Sequence, residues 1–294
     1  MATARANAVY GARINQLPVL PTVVFKLRDL LFDEKSDADT VAAEISKDPS
    51  LTATLLKWVN SAYYAVPYPV SSPARAVKFL GYQAVQQLVM SVCAMQTLNQ
   101  TSSSLYVPPI WTHSLQTAIL CEQLSRHMNF LVPSDLFTMG LLHDIGKLAL
   151  AAIEPETFDG ICRRAEAEGV PYHVAESRLK APTHTHLGAR LAHHWKLPEQ
   201  VCVAVAMHHL LELEYRRGIV DLYQSSVDMV LIANEMAIHC LEGGRAPKIL
   251  AHEKIARAAI ERLGLNAADL ERVAKKGRHA IQQNQDFFAL IQSI

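Results

Sequence analysis

The sequence has no excess charge of either sign and no paired cysteines. Its 28 basic residues balance 28 acidic residues. No overall electrostatic field therefore favours nucleic acid or an anionic membrane surface, and we expect neither as a partner. The five cysteines are scattered along the chain and include no C-x-x-C pair. This usage is typical of buried thiols in a reducing compartment.

Long apolar runs are absent as well. The N-terminal segment 1–16 contains no apolar core of a signal peptide, and no charge-free apolar run reaches the roughly 18 residues that span a bilayer. We therefore expect a cytoplasmic protein with no membrane association. Apolar residues are nevertheless abundant, because 50% of the 294 residues are hydrophobic and only 19% are charged. This composition predicts a well-packed core, in one large domain or two modest ones.

The sequence also lacks the alternation of apolar and polar residues that predicts strands. Its apolar residues instead recur at helical spacing. Val23, Leu27 and Leu31 lie four residues apart and predict an amphipathic helix. Three further helices are predicted from their capping residues: Asp39 before a short helix, Asp48 before Pro49, and Ser72 before Pro73 in a helix that Gly81 ends. The sequence therefore predicts an all-α fold.

Two breaks divide this helical pattern. A polar, serine-rich segment at 99–109 ends in two prolines, and Gly243-Gly244 lies close to Pro247. The breaks predict an N-terminal helical subdomain over 1–100, a second helical subdomain over 105–241 and a C-terminal helical extension over 245–294. Helices are expected near 110–128, 134–152, 155–168, 172–180, 184–195, 198–211, 221–241, 251–263 and 267–291.

The centre of the second subdomain is an apolar run at 140–150 that carries His143 and Asp144 side by side. A buried carboxylate is normally hydrogen-bonded, ion-paired or bound to a metal, because an unpaired buried charge is costly. On a helix the two side chains would lie about 100° apart, and Lys147 would share their face. Either a local Asp144–Lys147 ion pair beside a core histidine or a metal site accounts for this pattern.

Further imidazoles on other predicted helices bear on these alternatives. His113, His184 and the pair His208-His209 each lie on or beside an apolar helix, and Asn234 is a polar residue within one. Imidazoles with one carboxylate and no thiolate suit Fe, Mn, Co, Ni or Zn in an open site better than a closed structural zinc site. We therefore predict one or two transition-metal ions and no organic cofactor. A hydrogen-bonded polar core network is the alternative.

The strings that carry these residues resemble a known family. His113 followed by His143-Asp144-Ile-Gly-Lys147 is similar to the HD superfamily of metal-dependent phosphohydrolases. Four N-terminal strings resemble the HDOD family (HD-related output domain) of bacterial signalling proteins: Leu17-Pro-Val-Leu-Pro21, Asp48-Pro-Ser-Leu51, Leu56-Lys-Trp-Val-Asn-Ser-Ala-Tyr63 and Ala76-Val-Lys-Phe-Leu-Gly81. The segment from Gly188 through Trp195 to His209 is similar as well, so the resemblance covers roughly 15–240.

The resemblance implies an HD-like fold with metal ligands at His113, His143, Asp144, His184, His208 and His209. It also implies a signalling or regulatory module that acts through partner proteins. The alternative is a metal-dependent phosphohydrolase that acts on a nucleotide or a cyclic dinucleotide. In that alternative Asp144 would bridge two metals, and Lys147 would stabilise charge on the phosphoryl group.

Two departures from the family pattern argue against the enzymatic alternative. Asn234, a weaker ligand, stands where an HD enzyme would place its last ligand aspartate. The loop after His209 lacks the Gly-Tyr-Pro signature of cyclic-di-GMP phosphodiesterases. A DNA-binding helix-turn-helix at 73–90 is also disfavoured, because it holds only two basic residues. The apolar segment 287–291 either packs on the body or contributes to a homodimer.

Overall fold

The computed structural model describes residues 10–33, 35–61, 64, 66–130, 133–210, 213–242, 254–283, 285 and 288–289. These residues form helices and connecting loops without a single strand, so the predicted all-α fold is confirmed. Contacts divide the chain into two compact units. One unit contains 20–97 and 278–294, and the other contains 1–19 and 98–277. The boundaries expected from sequence at 100, 105, 241 and 245 stay predictions.

The first unit is built from short amphipathic helices whose apolar faces meet around Leu27, Ile45, Leu55 and Trp58, all fully buried. Its helices are α1 (Thr22–Leu31), α2 (Ala38–Ile45), α3 (Pro49–Val59), α4 (Pro73–Leu80) and most of α5 (Tyr82–Asn99). The helix α4 packs against both α2 and α3.

Side-chain caps start three of these helices. Asp48 accepts hydrogen bonds from the backbone N–H groups of the first turn of α3, and Ser72 caps α4, as predicted. The predicted cap of α2 is wrong: Asp37, not Asp39, accepts from the backbone N–H of Thr40, at 2.7 Å. Asp37 has the extended backbone that a cap requires, whereas Asp39 already lies in the first helical turn.

The second unit contains the remaining helices, except for the end of the last one. They are α6 (Val107–His127), α7 (Pro133–Leu142), α8 (Ile145–Ile153), α9 (Pro155–Glu168), α10 (Tyr172–Leu179), α11 (His184–His194), α12 (Glu199–Met207), α13 (Asp221–Met236), α14 (Lys254–Arg262) and α15 (Ala267–Gln283). A 3₁₀ turn at Leu213–Arg216 precedes α13, and a π-helical turn at Ala237–Glu242 follows it. The apolar faces of α6, α7, α8, α11, α12 and α13 form its core.

The prediction of a continuous helix through His143 and Asp144 is wrong. The sequence predicted a single helix near 134–152 that carries His143 and Asp144. The structure instead ends α7 at Leu142 and begins α8 at Ile145, so both residues lie in the tight turn between the helices. The His143 imidazole Nδ1 donates to the carbonyl oxygen of Gly140, at 2.7 Å. This bond occupies a carbonyl near the end of α7 and accompanies the break in the helix.

Three other sequence predictions concern a membrane span, the cysteines and the segment 287–291. The stretch Asp135–Ile153 is long and apolar enough to cross a membrane, but 83% of its apolar window is buried inside the protein as part of α7 and α8. Three cysteines, Cys93, Cys121 and Cys162, are buried free thiols, whereas Cys202 is half-buried. Most of the segment 287–291 lies outside the described residues.

Candidate metal centre

The structure brings every predicted site residue of the second unit into one pocket. Six elements contribute them: His113 from α6, His143 and Asp144 from the α7–α8 turn, Lys147 from α8, His184 from the start of α11, His208 and His209 after α12, and Asn234 from α13. Each of these side chains lies within 4 Å of at least one other. Helices far apart in sequence therefore present their polar side chains to a common point.

Two glycines allow this convergence. A Cβ atom on Gly146 of α8 would overlap the carbonyl oxygen of His184, and the same atom would approach the backbone of Gly188. The axes of α8 and α11 can therefore come close only because both helices lack a side chain at the crossing. This crossing places the Asp144 turn directly against the first residue of α11.

Asp144 is the centre of the pocket, and its two oxygens face different partners. Oδ2 accepts from the Lys147 ammonium at 2.5 Å and lies 3.2 Å from the Nε2 atom of His143. Oδ1 lies 3.4 Å from the Nε2 atom of His184 and 3.6 Å from that of His208. Only 1% of the carboxylate side chain is exposed. One carboxylate therefore stands between two sets of imidazoles.

The first set, His184, His208 and His209, is called the three-histidine cluster below. The Nε2 atom of His184 lies 3.2 Å from those of both His208 and His209. Neighbouring ligand atoms of a tetrahedral site lie about 3.3–3.4 Å apart when metal–nitrogen bonds measure about 2.0–2.1 Å. The separations of His184 from the other two histidines, and those of His184 and His208 from Asp144 Oδ1, are close to these values, and the three histidines could hold one metal ion.

The second set, His113, His143 and Asn234, is called the asparagine cluster. The Asn234 amide oxygen lies 2.8 Å from His113 Nε2 and 3.3 Å from His143 Nε2. His113 Nε2 is 3.9 Å from Asp144 Oδ2. The separations are less uniform than in the three-histidine cluster. The group nevertheless offers two imidazoles and one carboxylate oxygen close enough to share an ion.

Hydrogen bonds at the outer edge of the pocket direct Nε2 atoms inward. His208 Nδ1 is within 3.2 Å of two carbonyl oxygens of α12 and donates to them, so its Nε2 atom carries a lone pair. In the part of the chain that the structure describes, the buried Oδ1 atom of Asp144 accepts no hydrogen bond. Electron pairs of nitrogen and oxygen thus face one another, an arrangement that a cation stabilises and that fits a metal.

Burial keeps these imidazoles neutral. It lowers the pKa of His113 and of His184 to about 3 and that of His208 to about 4. Burial would raise the pKa of Asp144, but the nearby His143 and the Lys147 ammonium outweigh it and hold that pKa well below its usual range. At neutral pH the imidazoles of His113, His184 and His208 are therefore neutral and the Asp144 carboxylate is ionised, which is the protonation state that binds a metal.

Helix α10 supplies three pocket residues that the sequence did not point to. Glu176 is fully buried and accepts from the backbone N–H of His184 at 2.7 Å and from its Nδ1 at 2.8 Å. Burial raises the pKa of Glu176 to about 8. The Lys147 ammonium lies 4.9 Å from the ring centre of Tyr172, and the ring of His173 lies 4.6 Å from that of His209. None of these three residues belongs to a recognisable motif. The one feature of the sequence that hinted at a contact between Glu176 and His184 is their spacing of eight residues.

An all-α chain with a buried pocket of imidazoles around one aspartate defines the class of HD-like helical proteins. The model of the HDOD domain family matches residues 17–211. That match covers more than half of the chain, and the chain belongs to the HDOD family.

Comparisons with single proteins agree with this assignment. An uncharacterised protein of Treponema pallidum (strain Nichols) is 27% identical over 242 residues, which are 82% of this chain and 46% of that protein. The chain thus spans about half the length of the curated relative that it matches.

Solved structures show the same fold. An HDOD domain protein of unknown function from Geobacter sulfurreducens has a TM-score of 0.75 at 23% identity, covering 94% of this chain and 93% of that one. A candidate phosphohydrolase from Shewanella amazonensis SB2B has a TM-score of 0.71 at 23% identity, covering 94% and 98%. At these identities the likeness concerns the fold alone.

Proposed function

We propose that this chain is a cytoplasmic bacterial signalling module that holds a transition metal in its HD pocket and acts through partner proteins. The observation that carries the metal is the buried Asp144 Oδ1 atom, which accepts no hydrogen bond from the described residues and faces the imidazoles of His184 and His208. A cation bound there would offset the cost of burying this oxygen. The metal would serve as a structural or sensing element.

The burial of the pocket supports regulation over turnover. The side chains of His143 and His208 are completely buried, and Asp144 is nearly so, which leaves little room for a substrate beside the ligand atoms. The Lys147 ammonium is paired with Asp144, which leaves it less available to a substrate. Asn234 adds a neutral amide where a second acid would strengthen binding of a metal pair.

A surface next to the pocket supports the proposal of protein partners. The segment that follows His209 exposes Leu213, Tyr215 and Val220, whose exposed fractions are 44%, 65% and 58%. Large apolar side chains exposed together are characteristic of interaction surfaces. Metal binding at His208 and His209 would act on the start of this segment, which offers a physical route from the pocket to a partner.

Elemental analysis of protein purified without chelator tests the metal. We expect bound Fe, Mn, Ni or Zn in the native protein and none in Asp144→Ala, because the two Asp144 oxygens face both clusters. His193→Ala is the matched control, since His193 is an exposed histidine of α11 and should leave the metal content unchanged. A native protein that holds no more transition metal than Asp144→Ala would leave only the hydrogen-bonded network.

Phosphoester hydrolysis is the second candidate function, and the position of Lys147 favours it. This ammonium and His113 are partly exposed, each with 14% of the side chain accessible. In this candidate a bound metal would polarise a phosphoryl oxygen, while Lys147 would bind and orient the phosphate beside Asp144. Hydrolysis of a generic phosphodiester in added Mn²⁺, lost in Lys147→Met, would favour it; equal rates in both proteins would argue against it.

A further inference from the structure

Glu176 makes a contact that no other residue of the described pocket makes. Its carboxylate accepts two hydrogen bonds from one residue: Oε1 accepts from the backbone N–H of His184, and Oε2 accepts from the imidazole Nδ1. Both distances are at most 2.8 Å, and Glu176 is fully buried. The backbone and the ring of His184 are therefore fixed by the same side chain.

This double contact determines what His184 offers to the pocket. With the proton on Nδ1 directed to the carboxylate, Nε2 carries a lone pair. That atom lies 3.2 Å from the Nε2 atoms of His208 and His209 and 3.4 Å from Asp144 Oδ1. A carboxylate partner also makes the imidazole a stronger donor to a metal than a neutral partner does.

The partners of the other imidazoles are of a different kind. The Nδ1 atoms of His143 and His208 donate to backbone carbonyl oxygens three or four residues earlier in the chain. Among these three ligand candidates, His184 is therefore the one whose Nδ1 atom contacts a side chain of another helix.

We infer that Glu176 is the positioning residue of the metal site: its carboxylate fixes the tautomer and orientation of His184 and thereby sets the affinity of the three-histidine cluster. This inference rests on the proposed metal-binding function. The competing role for Glu176 is purely structural, as an extra cap for the N-terminus of α11, where the Thr183 hydroxyl accepts from the backbone N–H of His186.

Glu176→Gln separates the two roles. Glutamine has nearly the same size, but its amide offers one acceptor and one donor where His184 presents two donors. An NH₂ group facing Nδ1 would move the imidazole proton to Nε2, where it points at the metal position. We expect Co²⁺ affinity to fall roughly 10–100-fold, with a changed visible absorption spectrum of the bound ion.

Thr183→Val is the matched control, because it removes the cap of α11 and leaves the imidazole contact intact. It should lower the melting temperature of the metal-free protein without changing Co²⁺ affinity or spectrum. A double-mutant cycle with His184→Ala guards against general unfolding: once His184 is absent, Glu176→Gln should have no further effect on Co²⁺ affinity.

The outcomes distinguish the inference from the proposed function. If the native protein binds no Co²⁺, the proposed metal function fails and the inference fails with it. If the native protein binds Co²⁺ and Glu176→Gln binds it with the same affinity and spectrum, the inference alone is wrong. Additive effects of Glu176→Gln and His184→Ala would also overturn it, since they would show that Glu176 does not act through His184.

Discussion

The two halves of the pocket share Asp144 but differ in what surrounds it. The three-histidine cluster places the imidazoles of His184 and His208 within 3.6 Å of one oxygen of Asp144, and His209 lies 3.2 Å from His184. The asparagine cluster gives the other oxygen two imidazoles, a neutral amide and a lysine ammonium that already occupies part of the space. The difference indicates that the pocket has one strong and one weak metal position, so its two halves are not equivalent.

Removing one histidine from each half tests this asymmetry most directly. His208→Ala takes a ligand atom from the three-histidine cluster, and we expect metal affinity to fall more than about 100-fold. His143→Ala changes the asparagine cluster and should leave one tightly bound ion. Competition with a chelator of known affinity measures both. Equal losses in the two variants would contradict the asymmetry and favour a single shared site.

Gly146→Ala tests whether the close crossing of α8 and α11 maintains the three-histidine cluster. The added Cβ would overlap the backbone of His184, so α8 must move away from α11 and carry Asp144 with it. Asp144 and His143 belong to the same turn and move together, so the asparagine cluster should change less. We expect a loss of about 1–3 kcal/mol in unfolding free energy, measured by urea denaturation of the metal-free protein.

The metal titration of Gly146→Ala completes that test. Affinity at the three-histidine cluster should fall while the weak position keeps its affinity. Gly160→Ala is a suitable control, because a Cβ at that helical position meets no atom within 4 Å. A variant of Gly146 with native stability would show that the close crossing is not required.

Asn234→Asp tests the asparagine cluster, which is the weaker half of the pocket. Its amide oxygen already lies between the imidazoles of His113 and His143, so an aspartate there would add a charged ligand without moving the backbone. We expect the second ion to bind at least about tenfold tighter, or roughly 1.4 kcal/mol, with little change at the three-histidine cluster. Metal content at saturating Mn²⁺ should rise. Unchanged stoichiometry and affinity would mean that position 234 is not the missing ligand.

The sequence predicted those features of the fold and the site that depend on neighbouring residues or on a recognisable motif. The cap at Asp48 and the helix end at Gly81 depend on neighbouring residues, and the resemblance grouped the imidazoles with Asp144. The turn at His143 was missed, because apolar spacing continues through it while the interrupting bond forms between a side chain and Gly140. Glu176 was missed because its two hydrogen bonds depend on how α10 packs against α11.

Lys147→Met should have the smallest effect, and it changes only the weak position. The Lys147 ammonium donates to Asp144 Oδ2, the same oxygen that a second ion would use. Removing this charge relieves repulsion of a cation, so the second ion should bind about 3–10-fold tighter, roughly 0.6–1.4 kcal/mol. The three-histidine cluster faces Oδ1 and should bind as before. Weaker binding of the second ion would show instead that Lys147 helps to hold Asp144 in place, and the two halves of the pocket would then depend on the same lysine.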